Sequence, residues 1–274
     1  MSKLAGLASY VQVALLREIG IAGNILQSQQ AHDAMTHEVR KALKRARAYL
    51  RLLRGIIDKA GYRATNSALR DIGANFRKRR DAEALLATLR AVAVRAPGGR
   101  TASGRLQRVL RSQVVSTAIP GADAAANAQR VADLVLNVAT WKMPRGGRRA
   151  IRGALLHTFK RAREAYRHAR DSGLAADWHE CRKQTTYWRQ QLYLLDAALP
   201  GRMRALAEGS QVLADELGEE RDLLLLRTEA TKRRPSVGRH DDQGALLTCI
   251  DQRRRKLRRH IDPCAKSLYR HKWM

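Results

Sequence analysis

The chain contains two copies of one short pattern, and this duplication is the feature that most constrains its fold. The pentapeptide HEVRK at residues 37–41 recurs as HECRK at 179–183, an offset of 142 residues. The dipeptide Arg-Asp at 80–81 recurs at 221–222, an offset of 141 residues. Chance could supply one short match, but two matches in the same order at nearly the same offset indicate a duplicated unit.

The composition indicates that both copies are helical. Ala, Leu and Arg favour helices, whereas the strict alternation of apolar and polar residues typical of β-strands is rare. Breaks rich in Pro and Gly separate segments with helical periodicity. The predicted helices lie near 7–29, 34–60, 66–77, 80–95, 103–117, 122–139, 147–171, 175–199, 202–217, 219–232, 243–256 and 258–271.

These segments predict an all-α fold of two antiparallel, four-helix-type bundles. We expect one domain over 1–274, with a first half at 1–143 and a second half at 144–274. The break from Pro144 to Gly147 lies between the halves. Because the halves share a pattern, we expect a pseudo-twofold axis to relate them.

The charge of the chain points to a polyanionic partner. It has 53 Lys+Arg against 25 Asp+Glu, a formal net charge of +28. Such an excess destabilises a compact state through self-repulsion, which a bound polyanion relieves. Nucleic acid, an anionic membrane surface and a phosphate polymer are the candidate partners. Apolar residues make up 45% of the chain, enough for a folded core rather than a disordered basic tail.

Other features argue against several classes of protein. The chain has only three cysteines and no CxxC, which argues against a disulfide framework and a zinc site and is typical of ordinary buried thiols in a reducing compartment. No segment approaches the ~18 apolar residues of a membrane span, and the N-terminus lacks the pattern of a signal peptide. We therefore expect a cytoplasmic protein without a membrane span.

The predicted helix that carries His37 has a strongly basic face. At about 100° per residue, the cations within about 80° of His37 are Arg40, Lys41, Lys44, Arg45, Arg47 and Arg51. Leu43 and Leu50 fall on the opposite side, as expected for a helix packed in a bundle core. Cations at these spacings repel one another, and Glu38 alone is close enough to compensate. Binding of an anion would relieve this repulsion.

The second copy repeats this face with gaps. The residues that share or border it are His179, Arg182, Lys183 and Arg189. Thr186 and Tyr187 stand where the first copy has cations. The preceding helix partly restores the charge with eight Arg and Lys residues, among them Arg163 and Arg167.

At this level of detail the sequence resembles the CHAD domain, the conserved histidine α-helical domain. The resemblance rests on HxxRKxxKRxR from His37, on HxxRK from His179, and on the Arg-Asp that follows each by 42–43 residues. It extends over about residues 7–271. It implies two antiparallel helical bundles with pseudo-twofold symmetry, binding of inorganic polyphosphate in a basic groove between them, and association with polyphosphate granules in bacteria.

The resemblance implies that the groove uses His37, Arg40, Lys41, Lys44, Arg47, Arg51, His179, Arg182, Lys183 and Arg189. We add Arg45, Arg163 and Arg167 to this candidate site from the basic faces. Arg80 and Arg221 join it with two roles left open, contact with the ligand or bracing of the fold. Arg and Lys suit phosphate oxygens because both donate charge-assisted hydrogen bonds.

Two other functions fit the sequence less well. Nucleic-acid binding is compatible with the charge, and weak nonspecific binding is expected, but aromatic residues for base stacking make up only 5% of the chain. An enzyme acting on phosphate chains would usually hold Mg²⁺ with carboxylates beside a phosphate cradle. No GxxxxGK[ST] loop is present, and the His-Asp pairs at 32–33 and 240–241 are weak metal candidates. We expect no catalysis, no metal and no cofactor.

Overall fold

A computed structural model describes residues 6–28, 32–94, 99–117, 121–199, 203–232 and 240–270, but not the side chains of 32–35, 99–102, 122 and 240–243. All regular elements within these ranges are α-helices, which confirms the predicted all-α fold. The helices are α1 Leu7–Gln27, α2 His32–Leu52, α3 Lys59–Asn75, α4 Arg77–Ala93, α5 Gly99–Ser116, α6 Gly121–Ala139, α7 Arg148–Ser172, α8 Ala175–Ala198, α9 Arg204–Lys232 and α10 His240–Tyr269.

Two pairs of predicted helices are single helices in the structure. The predicted break near Gly218 is wrong, because α9 is a single helix of 29 residues that continues through this position. The predicted break near Leu257 is also wrong, because α10 is a single helix of 30 residues that includes this position. A glycine inside a helix weakens it by only about 1 kcal/mol, which the packing of buried residues such as Leu213, Leu217 and Leu223 outweighs.

One predicted helix ends earlier than expected. Periodicity predicts a single helix over 34–60, but α2 ends at Leu52. Gly55 has φ 98°, a left-handed conformation that other residues rarely adopt, so the chain turns there. Asp58 then caps α3, its carboxylate accepting a hydrogen bond from the Gly61 amide at 2.7 Å. This turn places Arg54 outside the helix.

The helices pack as two connected groups. Helix α1 packs on α2 and α6, and α3 packs on α2 and α6. Helices α7 to α10 form the second group. Helices α4 and α5 belong to the first half by sequence but pack against α9 and α10, and one continuous apolar core runs through both groups. The pseudo-twofold axis and the division at residue 143 stay predictions.

Helices α2 and α8 meet at the centre of the molecule. Both carry the HxxRK pattern, and they contact each other directly. The buried Gln191 side chain of α8 donates a hydrogen bond to the Ala48 carbonyl of α2 at 2.9 Å. This contact places the two basic faces beside each other.

Candidate functional site

Five cations from four helices converge between the two groups. Four arginines lie close enough to Lys44 of α2 to repel its charge. We call the five residues the central cluster: Arg40 and Lys44 of α2, Arg80 of α4, Arg182 of α8 and Arg221 of α9. The two copies of the sequence pattern therefore meet in one site.

Lys44 lies at the middle of the central cluster. Its side chain is open to solvent on one side, while protein atoms surround it on the others. Desolvation by this surrounding protein, followed by repulsion from Arg40, Arg80, Arg182 and Arg221, lowers the pKa of Lys44 from 10.5 to about 7. A buried or crowded ammonium loses hydration that a neighbouring anion would replace. The site therefore holds a positive potential that the protein itself compensates only in part.

Two carboxylates lie next to the central cluster. Arg80 is 3.8 Å from Asp81 and 3.7 Å from Asp222, so it joins α4 to α9. Arg221 is 3.7 Å from Asp222. These separations exceed hydrogen-bonding distance, so N–H groups of both guanidiniums remain available to donate to another acceptor. Both open roles of these arginines remain compatible with this geometry. Asp222 lies inside α9, so the predicted helix start near residue 219 is wrong.

Arg40 and Arg182 are held in place by glycines of neighbouring helices. Arg40 donates a hydrogen bond from Nη1 to the Gly73 carbonyl of α3 at 2.8 Å. The Arg182 guanidinium lies over Gly218 of α9, where an added Cβ would come within 2.8 Å of Nη2. A Cβ at this position would require the Arg182 guanidinium to shift. Burial lowers the pKa of both arginines, against a raising effect of Asp81 on Arg40 and of Asp222 on Arg182.

Tyr187 of α8 stands where the first copy of the pattern has a cation, and it contacts two arginines of α2. Its ring is almost fully buried and lies 3.9 Å below the Arg51 guanidinium and 5.8 Å from that of Arg47. The face of an aromatic ring attracts a cation, so Tyr187 orients two arginines of the first copy. Asn66 adds an acceptor for Arg47 at 3.4 Å. The sequence showed Tyr187 only as a departure from the basic pattern.

The two histidines and the following lysines lie at the exposed ends of the basic faces. His37 is exposed and lies 3.9 Å from Glu38, which also pairs with Lys41 at 3.4 Å. His179 is exposed by surface area, yet partial burial, then the charges of Arg221, Arg182 and Lys183, lower its pKa. Lys183 pairs with Glu180 as Lys41 pairs with Glu38. The geometry brings His179 next to the central cluster.

Four predicted site residues have other surroundings. Arg45 forms an ion pair with Glu18 of α1 at 2.8 Å, where both side chains are largely buried. Arg189 lies 3.7 Å from Asp215 of α9. Arg161 is one of the α7 residues that line a cavity shared with α2 and α3. Arg163 and Arg167 lie about 160° and 120° away from Arg161 around the helix axis. The sequence could place these cations on a helix but not assign their neighbours.

The described residues offer little to a metal ion. Among them, no three His, Cys, Asp or Glu side chains come together. Helix α10 begins at His240, slightly before the predicted start near residue 243. The side chains of residues 32–33 and 240–242, which form the two His-Asp pairs, lie outside the described residues. Cys181 is buried as expected, whereas Cys249 and Cys264 are partly exposed. No helix in the described ranges combines the length and apolar content needed to cross a bilayer.

Comparisons with known proteins agree with this arrangement. The CHAD domain model matches residues 23–231, most of the chain. Among solved structures, PptA from Streptomyces chartreusis is similar with a TM-score of 0.72 over 96% of this chain and 99% of PptA, at 14% sequence identity. None of the curated proteins matches the sequence. With both HxxRK helices and the Arg-Asp pairs gathered in one site, the chain belongs to the CHAD domain family.

Proposed function

We propose that this protein binds inorganic polyphosphate at the central cluster without altering it chemically. The observation that carries the proposal is the convergence of five cations from both halves beside two carboxylates, Asp81 and Asp222. Such an excess charge at a crowded site is relieved by an anionic ligand. The family resemblance supports polyphosphate as that anion.

The donors of the site suit a chain of phosphate groups. A guanidinium presents several N–H donors in a plane that matches phosphate oxygens. The buried Nε of Arg40 has no hydrogen-bond partner in the described part of the chain, so the protein does not fully satisfy this guanidinium. Arg47 and Arg51 extend the cationic surface along α2, and α2 places Arg51 about 10 Å from Lys44. A linear polyanion can follow this surface.

The aromatic residues near the site favour a ligand without bases. The ring of Tyr187 is covered by Arg51, and Trp188 is fully buried. Neither ring is open to stack on a nucleotide, which is the usual source of affinity for single-stranded nucleic acid. Polyphosphate requires only the cations. Localisation in the cytoplasm at polyphosphate granules follows as part of this proposal, and a fluorescent fusion that stays diffuse in granule-containing cells would contradict it.

The first experiment is a titration with long-chain polyphosphate at near-physiological salt, with duplex DNA and single-stranded RNA as competitors at equal phosphate concentration. We expect polyphosphate to bind at least about tenfold more tightly, a difference of about 1.4 kcal/mol. Equal competition by nucleic acid would identify a general polyanion binder and overturn the proposed selectivity.

A charge-matched pair of variants then locates the site. The first variant replaces Arg40, Lys44 and Arg182 with Gln; the second replaces Arg105, Arg108 and Arg111, exposed cations of α5, with Gln. We expect the first to lose at least about 100-fold in affinity, since hydrogen bonds to charged groups contribute about 1.5–3 kcal/mol each, and the second less than about tenfold. Equal losses would show that net charge alone matters.

Another cationic segment makes a poorer control. Arg253 donates two hydrogen bonds to Glu219, and Arg254 binds Glu220. Replacing these arginines would break contacts between α9 and α10, so lost affinity could reflect lost structure. The exposed α5 arginines avoid this ambiguity.

A further inference from the structure

A second cationic cavity lies beside the central cluster, between the two halves. Its volume is about 700 Å³. It lies between α2 with the turn after it, α3, α7 and α8. The residues that determine its character are Arg51, Arg54, Tyr62, His157, Arg161 and Lys183. Four of these, Arg54, Tyr62, His157 and Arg161, are not part of the site proposed above.

The cavity carries an excess of positive charge. Four cations line it against one carboxylate, Glu180. The oxygens of Glu180 are already held by Lys183 and by the Gln184 amide, which donates at 2.6 Å. The carboxylate therefore neutralises part of the charge of Lys183 and, at longer range, of Arg161, while its ion pair is with Lys183.

Neighbouring side chains fix the position of Arg54. Its Nη1 lies 3.4 Å from Nε2 of His157, and its guanidinium lies 5.8 Å from the ring centre of Tyr62. Burial, followed by repulsion from Arg54 and Arg161, lowers the pKa of His157, so at neutral pH its uncharged ring can accept the Arg54 hydrogen bond. The arrangement holds a guanidinium at the cavity wall before any ligand arrives.

Helices α2 and α8 both contribute residues to the central cluster and to the cavity. Lys183 follows Arg182 directly in α8, and Arg51 lies two turns from Lys44 on the same face of α2. A single phosphate chain can therefore lie along the central cluster and end in the cavity.

We propose that this cavity is a binding site for the terminal phosphate of a polyphosphate chain, an inference that rests on the proposed function. A terminal phosphate carries about 1.5 to 2 negative charges near neutral pH, as phosphate monoesters do, whereas an interior phosphate carries one. The additional charge matches the excess of cations around Arg54 and Arg161. The cavity therefore gives the protein a preference for chain ends.

The test compares linear tripolyphosphate, which has ends, with cyclic trimetaphosphate, which has none. The variant Arg54→Gln/Arg161→Gln is compared with the matched control Arg108→Gln/Arg111→Gln; all four residues are exposed, and circular dichroism checks that both variants fold. We expect the cavity variant to lose at least about tenfold in affinity for the linear compound and less than about threefold for the cyclic one. The control should lose little for either compound. Equal losses for both compounds in the cavity variant, or no loss, would overturn the inference.

Long-chain polyphosphate with its ends capped as phosphoramidates separates the inference from the proposed function. If capped and uncapped chains bind equally, the cavity does not select ends, but polyphosphate binding stands. If neither chain binds, the proposed function fails and the inference fails with it. Ribose 5-phosphate distinguishes a small phosphorylated compound from a chain end; binding as tight as that of tripolyphosphate would assign the cavity to such compounds and overturn the chain-end inference.

Discussion

Binding of polyphosphate should make the protein take up a proton at Lys44. In the free protein, desolvation and the surrounding arginines lower the pKa of Lys44 to about 7. A phosphate chain in the central cluster adds negative charge close to the ammonium, which favours its charged form. Binding should therefore return the pKa of Lys44 towards its ordinary 10.5.

The size of the uptake follows from these two values. At about pH 8.5, about 3% of Lys44 is protonated in the free protein and almost all of it in the complex, so Lys44 takes up about 0.95 proton on binding. At about pH 6 most of Lys44 is already protonated, and the uptake falls to about 0.1 proton. Because binding takes up a proton above pH 7, affinity should fall as pH rises, by up to about tenfold per pH unit.

Calorimetric titrations in buffers of different ionisation enthalpy measure this uptake directly. Lys44→Met should remove it, whereas Lys41→Met should retain it, because Lys41 is exposed beside Glu38. Uptake that is unchanged in Lys44→Met, or absent from the wild-type protein at pH 8.5, would refute the reasoning.

The lowered pKa of Lys44 also affects stability in the absence of ligand. The unfolded chain then binds the Lys44 proton more tightly than the folded protein does. The free energy of unfolding should therefore rise between about pH 7 and 10.5.

Three further predictions concern the support of the site. Gly218→Ala should displace the Arg182 guanidinium by about 0.7–1.2 Å to restore an ordinary contact distance, and this shift should weaken polyphosphate binding. The control Gly20→Ala should leave binding unchanged, because a Cβ at Gly20 has nothing within 4 Å. Equal affinities of the two variants would contradict the packing argument. Tyr187→Leu should lower affinity about two- to fivefold through loss of the stacked Arg51, and Tyr187→Phe should restore it in the same binding assay. Affinity should fall with salt with a logarithmic slope of about −3 to −4, from five cations that displace counterions; a flat salt profile would count against an electrostatic site.

Sequence patterns predicted the fold class and much of the site. Helical periodicity depends on local residue order, so the order of residues alone identifies the face that carries Arg40 and Lys44. The repeat of HxxRK and Arg-Asp predicted that both halves contribute cations, and the structure places Arg182 and Arg221 beside Lys44. The helix breaks were less predictable, because packing of α9 outweighs the local weakness at Gly218.

The neighbours of each cation could not be predicted in the same way. Arg45 lies on the same predicted face as Lys44, yet it pairs with Glu18, 27 residues earlier in the chain. Tyr187 reads as a gap in the basic pattern, yet it supports Arg51 from another helix. Periodicity gives the direction of a side chain around its own helix but carries no information on which helix lies opposite.

The sequence by itself therefore determined that this protein is helical and carries two HxxRK patterns on basic helix faces. Tertiary structure alone decided which of these cations meet. The packing of α2 on α8 and of α4 on α9 brings four helices together around Lys44, and the turn at Gly55 moves Arg54 to the wall of a cavity shared with α7. The reason is physical: helix formation depends on local hydrogen bonds, whereas a binding site depends on contacts between residues far apart in the chain.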